Sequence, residues 1–279
     1  MRSVTARIHH LNALTMCPVA ARLPGVMPSR LVAHVLVLED DHGLTLVDTG
    51  AGTADVTPPS RLGRAFVLST GARLDPAATV LAQLTARGHD PADVHSIVLT
   101  HLDLDHAGGL SDFPQAAVHV GATELAAARA RTSPRDKGRY VTAQWAHGPR
   151  WVEHEPDGDD WFGFDSVRAV SDDVLLVPLA GHTLGHSGVA VRRPGGGWYL
   201  HAGDAYFFHG EKQTPPTCPS GLSMFQTIVQ MDKKARHANQ DRLRSLNAEH
   251  GPAAGSGETV TIFSAHDAAE FDALAGLTD

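Results

Sequence analysis

The chain has 279 residues, 42% of them hydrophobic, with 23 basic and 31 acidic residues and a net charge of −8. That length supports a well-buried core, and the acidic balance disfavours a nucleic-acid partner, which would call for a basic surface. No apolar run approaches a membrane span, no leader-like apolar segment follows Arg2 and Arg7, and two cysteines, Cys17 and Cys218, make no disulfide framework, so a cytoplasmic protein without a membrane partner is expected.

Residues 1–30 read as irregular, broken by Pro18, Pro24, Gly25 and Pro28. Leu31 to Leu38 is a buried strand, Asp40-Asp41-His42-Gly43 a turn, and Leu44 to Val47 its hairpin partner. Asp48 at that strand's end either caps a turn through its own backbone or supports a metal ligand from behind. Residues 51–74, with Pro58-Pro59, read as a long loop. Asp75-Pro76 starts a helix as N-cap and first residue, with Val80, Leu81 and Leu84 on its apolar face. Val94 to Leu99 is a short β-branched strand.

That strand runs into Thr100–Gly109, THLDLDHAGG. On an extended backbone His101, Asp103 and Asp105 share one side, because side chains alternate with period two. His106 departs from that alternation, so the chain must bend near Asp105, and Gly108-Gly109 permits the bend. Two imidazoles and two carboxylates in six positions form a nitrogen and oxygen donor set suited to zinc, iron or manganese.

Beyond it, Ala117 to Val120 reads as a strand and Thr123 to Ala130 as a helix. The pattern then dissolves over 131–170, a stretch with Arg135, Lys137 and Arg139 followed by Trp145, Trp151 and Trp161. The basic cluster reads as a solvated helix end. The stretch is expected to be a lid or pocket insertion in a single domain over 1–279. Its aromatics have three open roles: pocket wall, anchor to the core, or homodimer contact. Strands follow at Val174 to Leu179, Gly188 to Arg192, Trp198 to His201 and Thr259 to Phe263, with helical patterns at Phe225 to Val229, Arg242 to Leu246 and Ala268 to Leu274. Periodicity alone gives an α/β protein.

The motif from His101 to His106 resembles the HxHxDH signature of the metallo-β-lactamase superfamily, with Asp103 where most relatives carry the second histidine. Four further landmarks keep the superfamily's order: Val47-Asp48-Thr49-Gly50, Gly181-His182-Thr183-Leu184-Gly185-His186, Asp204 after the 198–201 strand, and His266 after the last one. The resemblance implies an αββα sandwich of two mixed β-sheets flanked by helices. It assigns His101, Asp103 and His186 to one divalent ion, Asp105, His106 and His266 to a second, and Asp204 to both. Zinc leads, with manganese or iron as alternatives. A hydroxide shared by the ions is the implied nucleophile, and Asp105 is the candidate to orient it or pass its proton on.

Within the superfamily the chain looks most like the N-acyl-homoserine lactonases and related esterases, which implies a small-molecule ester or lactone as substrate. Those lactonases often carry a tyrosine three residues after the bridging aspartate. Phe207 stands there, so the neighbouring Tyr206 is the catalytic candidate. The alternatives are a phosphoester hydrolase, a di-iron oxidoreductase, whose flavoprotein members carry an acid where Asp103 stands, and a metal-bound protein without turnover. With Asp103 ionised, two divalent ions, three carboxylates and a hydroxide sum to a neutral site, one charge below the histidine version. That predicts a weaker pull on anionic substrates.

Overall fold

The computed structural model describes residues 7–277 except 24, 59, 156 and 256. One sheet contains β1 (Arg7–Met16), β2 (Leu31–Asp40), β3 (Gly43–Val47), β4 (Ala72–Arg73), β5 (Val94–Val98), β6 (Ala117–Gly121) and β7 (Arg150–His154), in the order β4-β1-β2-β3-β5-β6-β7. The other contains β8 (Asp159–Trp161), β9 (Phe164–Ser171), β10 (Val174–Pro178), β11 (Ser187–Arg192), β12 (Trp198–His201) and β13 (Val260–Phe263), in the order β13-β12-β11-β10-β9-β8. Both sheets are mixed. From β3 through β5 and β6 to β7 the pairing is parallel, as it is between β12 and β13, and the rest is antiparallel.

The helices are α1 (Thr53–Val56), α2 (Arg64–Thr70), α3 (Val80–Ala86), α4 (Ala122–Ala130), α5 (Pro134–Arg139), α6 (Ser220–Val229), α7 (Lys233–His250) and α8 (Ala268–Leu274). Alternation along the strands dictates the layers. In β2, Leu36 and Leu38 join Val98, Val189, Val191 and Phe263 between the sheets. Val35 and Val37 face the other way, onto a core with Val80 and Leu84 of α3 and Leu125 and Ala128 of α4. On the second sheet, Ala190, Leu200 and Ile262 pack against Leu243 and Leu246 of α7. Helix, sheet, sheet and helix therefore stack as the αββα expectation requires.

Three expectations need correction. Residues 7–16 form a ten-residue strand rather than an irregular lead. Its alternation is hidden by the buried His10 and by a β-bulge between Asn12 and Thr15. The Asn12 side-chain oxygen accepts the amides of Leu14 and Ala33 there. Residues 51–74 hold α1 and α2 instead of one loop. The stretch 131–170 is not patternless: β7, β8 and most of β9 join the two sheets, and α5 brings Arg135 and Arg139 to the site. The breakers Pro24 and Pro59 lie outside the described residues, as do residues 1–6.

One buried carboxylate joins the layers beside the future site. Glu124 of α4 accepts the amide of Leu102 at 3.0 Å and the Thr183 hydroxyl at 2.6 Å, so it holds the 101–106 loop and the GHTLGH turn together. Gly185 packs so closely that a Cβ there would lie 2.1 Å from the Glu124 backbone nitrogen. Gly185→Ala is therefore expected to cost about 1–3 kcal/mol, the usual penalty of overpacking, read as a lower midpoint in chemical denaturation. An unchanged midpoint would mean that the turn and α4 separate freely.

A candidate metal centre at the strand ends

The candidate residues gather because five strands end on the same side. β3 and β5 are parallel, which places Asp48 beside the 101–106 loop. β12 and β13 are parallel, which places Asp204 beside His266. β10 and β12 are each antiparallel to β11, so the GHTLGH turn after β10 arrives there too.

Hydrogen bonds fix how the imidazoles face. The Thr100 hydroxyl donates to Asp48 at 2.8 Å, so it accepts from Nδ1 of His101 at 3.0 Å. Nδ1 of His106 donates to Asp48 at 2.8 Å, and Nδ1 of His266 donates to the Val32 carbonyl at 2.7 Å. With Nδ1 engaged behind all three rings, each Nε2 is turned to the centre, where a neutral ring presents a lone pair. Fixing the ring from behind in this way is how metal-binding histidines are oriented. Nε2 of His106 and Nε2 of His266 face each other at 3.4 Å. Nε2 of His101 and Oδ1 of Asp204 are buried with no hydrogen-bond partner. Buried polar atoms are seldom left this way, and lone pairs converging on one point fit a cation.

Two groups of donors result, each with its ligand atoms within 4.8 Å of one another: His101, Asp103, His182 and Asp204, and Asp105, His106 and His266. Asp204 spans them. Its Oδ1 lies 3.1 Å from His266 and 3.3 Å from His106, and its Oδ2 lies 3.3 Å from His182. Electrostatics follow the geometry. Burial opposes charge on His106, but the Asp204 and Asp48 carboxylates outweigh it and hold its pKa well above the ordinary value. Burial also opposes charge on Asp204, yet the surrounding imidazoles hold its carboxyl well below the ordinary range. Burial pushes His182 down to about 4.

Six of the seven residues expected to hold metal are brought together, and one is not. His186 stands outside both groups. Its Nδ1 donates to the Leu179 carbonyl at 3.0 Å, and its Nε2 accepts the Asp204 amide at 2.9 Å, so no lone pair remains to offer. His182, the first histidine of the same hexapeptide, takes the place. Tyr206 is corrected as well. It is 1% exposed in the second sheet's outer core, and its hydroxyl donates to Glu270 at 3.0 Å. Phe207 faces the centre instead, stacked on His266 with ring centroids 4.9 Å apart. Asp48 supports the ligand loop from behind, the second of its two sequence readings.

Above the donors opens a cavity of about 400 Å³, walled by Leu31, Phe66, Leu104, Phe207, Phe225 and Ile228, with Asp105, Asp204, His182 and His266 at its base. Arg135 and Arg139 of α5 also line it. The tryptophans do not. Trp145 and Trp151 pack against the first sheet's outer core, and Trp161 lies in the second's, so they are anchors. The basic cluster is not simply solvated either, because Arg139 is 9% exposed and its Nη1 donates to both oxygens of Asp103 at 2.9 and 3.1 Å. Sequence reasoning missed Arg139 and His182. His182 lay inside a motif already singled out, whereas nothing local marks Arg139 as buried.

Metal analysis of two variants tests this arrangement. His182→Ala should lose the ion of the His101 group, about one equivalent per chain. Tyr206→Phe should keep wild-type metal content and activity, because it removes only a core hydrogen bond worth about 1 kcal/mol. Full metal content in His182→Ala, or abolished turnover in a folded Tyr206→Phe, would reverse these placements.

Comparison with known proteins agrees with the fold. The family profile described as Metallo-beta-lactamase superfamily matches residues 29–250. A probable metallo-hydrolase of Mycobacterium tuberculosis is 39% identical over 264 residues, covering 94% of this chain and 80% of the relative. An N-acyl homoserine lactonase, AttM, of Rhizobium johnstonii is 27% identical over 240 residues, covering 82% of this chain and 83% of that protein. Among solved structures, an N-acyl homoserine lactone hydrolase with N-hexanoyl-L-homoserine at its catalytic metal centre superposes with a TM-score of 0.72 at 20% identity, covering 98% of this chain and 97% of that one. The dizinc lactonase AidC superposes with a TM-score of 0.54 at 15% identity, covering 94% and 85%. At those identities the superpositions speak for the fold. The profile match and the mycobacterial relative speak for descent, and by them the chain belongs to the metallo-β-lactamase superfamily.

Proposed function

We propose that this protein is a metal-dependent hydrolase that opens a neutral lactone or ester carrying an apolar acyl group. The observation that carries the reading is the cavity: its walls are apolar, and its base is the set of converging donor atoms. Two divalent ions, zinc first and manganese or iron as alternatives, would supply a hydroxide at neutral pH and polarise the substrate carbonyl. His101, Asp103 and His182 would hold one, Asp105, His106 and His266 the other, and Asp204 both.

The chain's own groups define the rest. Asp105, 8% exposed at the cavity base with its Oδ2 3.8 Å from Nε2 of His266, would orient the nucleophile and hand a proton to the leaving oxygen. Phe207 gives the acyl group an apolar face and contributes no hydroxyl. The arginines of the wall are engaged with protein partners. Arg135 donates to the carbonyls of Ile228 and Gln230, and Arg139 to Asp103 and the Val229 carbonyl. Groups so tied suit a phosphate clamp poorly, which favours a neutral substrate. The names of the relatives point the same way, to N-acyl homoserine lactones.

A panel of acyl lactones, aryl esters, a phosphodiester and a β-lactam, assayed with zinc-loaded protein, tests the reading. Lactone or ester kcat/KM is expected to exceed the phosphodiester value by at least about a hundredfold, and chelation should abolish it. Comparable turnover of the phosphodiester would displace the proposal. A di-iron oxidoreductase is a second reading because of the acid at Asp103. Visible absorbance and iron in aerobically purified protein would favour it. Phe225, half-exposed on the cavity wall, gives a specificity test. Phe225→Ala should lower kcat/KM for long acyl chains by roughly tenfold or more, the worth of one or two lost apolar contacts, and leave short chains alone. Equal effects on both would remove Phe225 from the acyl path.

A further inference from the structure

Asp103 puts a carboxylate where most relatives carry a neutral imidazole, and a largely buried carboxylate beside two others is costly unless a cation answers it. Arg139 answers it. The guanidinium is buried, its Nη1 lies 2.9 and 3.1 Å from the two Asp103 oxygens, and its Nη2 donates to the Val229 carbonyl. On the other side of the carboxylate, Oδ2 faces His182 at 2.9 Å and His101 at 3.5 Å. Asp103 thus sits between the arginine and the donor atoms, with one oxygen turned to the centre.

The local sequence places the arginine. Ser133-Pro134-Arg135-Asp136 begins α5 with a capping box: the Ser133 hydroxyl accepts the Asp136 amide, and the Asp136 carboxylate accepts the Ser133 amide. Arg135 and Arg139 lie four residues apart and so share a helix face. Both reach the carbonyls where α6 ends, Ile228, Val229 and Gln230. The negative end of the α6 dipole receives both cations, and the Asp103 carboxylate receives Arg139.

We propose that Arg139 is a positioning residue of the metal centre, pairing with Asp103 so that carboxylate and guanidinium together replace the usual second imidazole. The pair is neutral, as imidazole is. The charge deficit counted from the ligands alone therefore disappears, and with it the ground for a weaker pull on anionic substrates. Asp103 and Arg139 are exchangeable only together. The inference rests on the two-ion reading above and is independent of the substrate.

The test is metal affinity, measured by chelator competition on the purified full chain loaded with zinc, with cobalt(II) spectra as a second readout. Arg139→Gln is expected to weaken the ion of the His101 group roughly 10–100-fold, the usual effect of losing a partner behind a ligand, and to shift the cobalt bands. Arg139→Lys, which keeps the charge, should recover most of that loss and also serves if the glutamine variant fails to fold. In an Asp103→His background the sign reverses. There the arginine is an unanswered buried cation, so Asp103→His/Arg139→Gln should bind zinc more tightly than Asp103→His alone. Equal effects of Arg139→Gln in both backgrounds, unchanged affinity in the native background, or a lysine variant as weak as the glutamine one would each overturn the proposal. A wild-type protein that binds no divalent ion overturns this inference and the two-ion reading together. Two bound ions with an indifferent Arg139 overturn this one alone.

Discussion

The Asp48 carboxylate is the constraint on which the centre depends. It is 1% exposed and accepts three hydrogen bonds, from the Thr100 amide, the Thr100 hydroxyl and Nδ1 of His106. Through Thr100 it also sets His101, so one side chain fixes the facing of two rings. Its own backbone has φ of +57°, a left-handed conformation that aspartate tolerates better than most residues. Such strain persists only where the surroundings over-determine it. Here the parallel pairing of β3 and β5 and the 2.9 Å bond from the Asp48 amide to the Val98 carbonyl do so. Without that carboxylate, Nδ1 of His106 would lose its partner, and the Thr100 hydroxyl that faces Nδ1 of His101 would lose the acceptor that orients it.

Buried carboxylates recur around the site in distinct roles, and burial alone does not separate them. Asp204 faces imidazoles, which hold its pKa down. Glu124 faces mostly backbone amides and hydroxyls, and burial holds its pKa up. The difference is the charge of the partners. Glu124 is accordingly a structural clasp between two loops, while Asp204 presents oxygens to both donor groups. Asp103 falls between these cases: it faces the donor atoms but also has a cation behind it.

How much of this the sequence shows follows from how local each signal is. The HLDLDH motif was legible because four donors lie in six positions after an obvious strand. The layers were legible wherever alternation was clean, as in β2. β1 was hidden because a bulge and a buried histidine broke its period. In GHTLGH the two histidines are equivalent by composition. What separates them is the Leu179 carbonyl and the Asp204 amide, which occupy both nitrogens of His186. The Asp103–Arg139 pair joins residues 36 positions apart, and the short helix that carries the arginine is too polar to betray a buried face. Of the three roles open for the tryptophans, their partners in the outer cores favour the anchor, and periodicity says nothing about which side those aromatics take.

The donors come from both sheets, which makes the candidate centre a joint between them. The first sheet supplies His101 to His106, and the second supplies His182, Asp204 and His266. Sheet-to-sheet bonds already cross nearby: the His266 ring donates to the Val32 carbonyl, the His34 amide to the Ala265 carbonyl, and the His201 ring to the His34 carbonyl. These bonds bring the two halves of the donor set within reach of each other. A cation held by both halves would favour the docked arrangement over any that separates them, by the linkage that ties ligand affinity to the stability of the state that binds. The apolar layer between the sheets, with Leu36, Val98, Val189 and Phe263, provides the larger non-directional part of that docking. Apolar packing sets the sheets face to face, and the hydrogen bonds at their edge decide which atoms meet there.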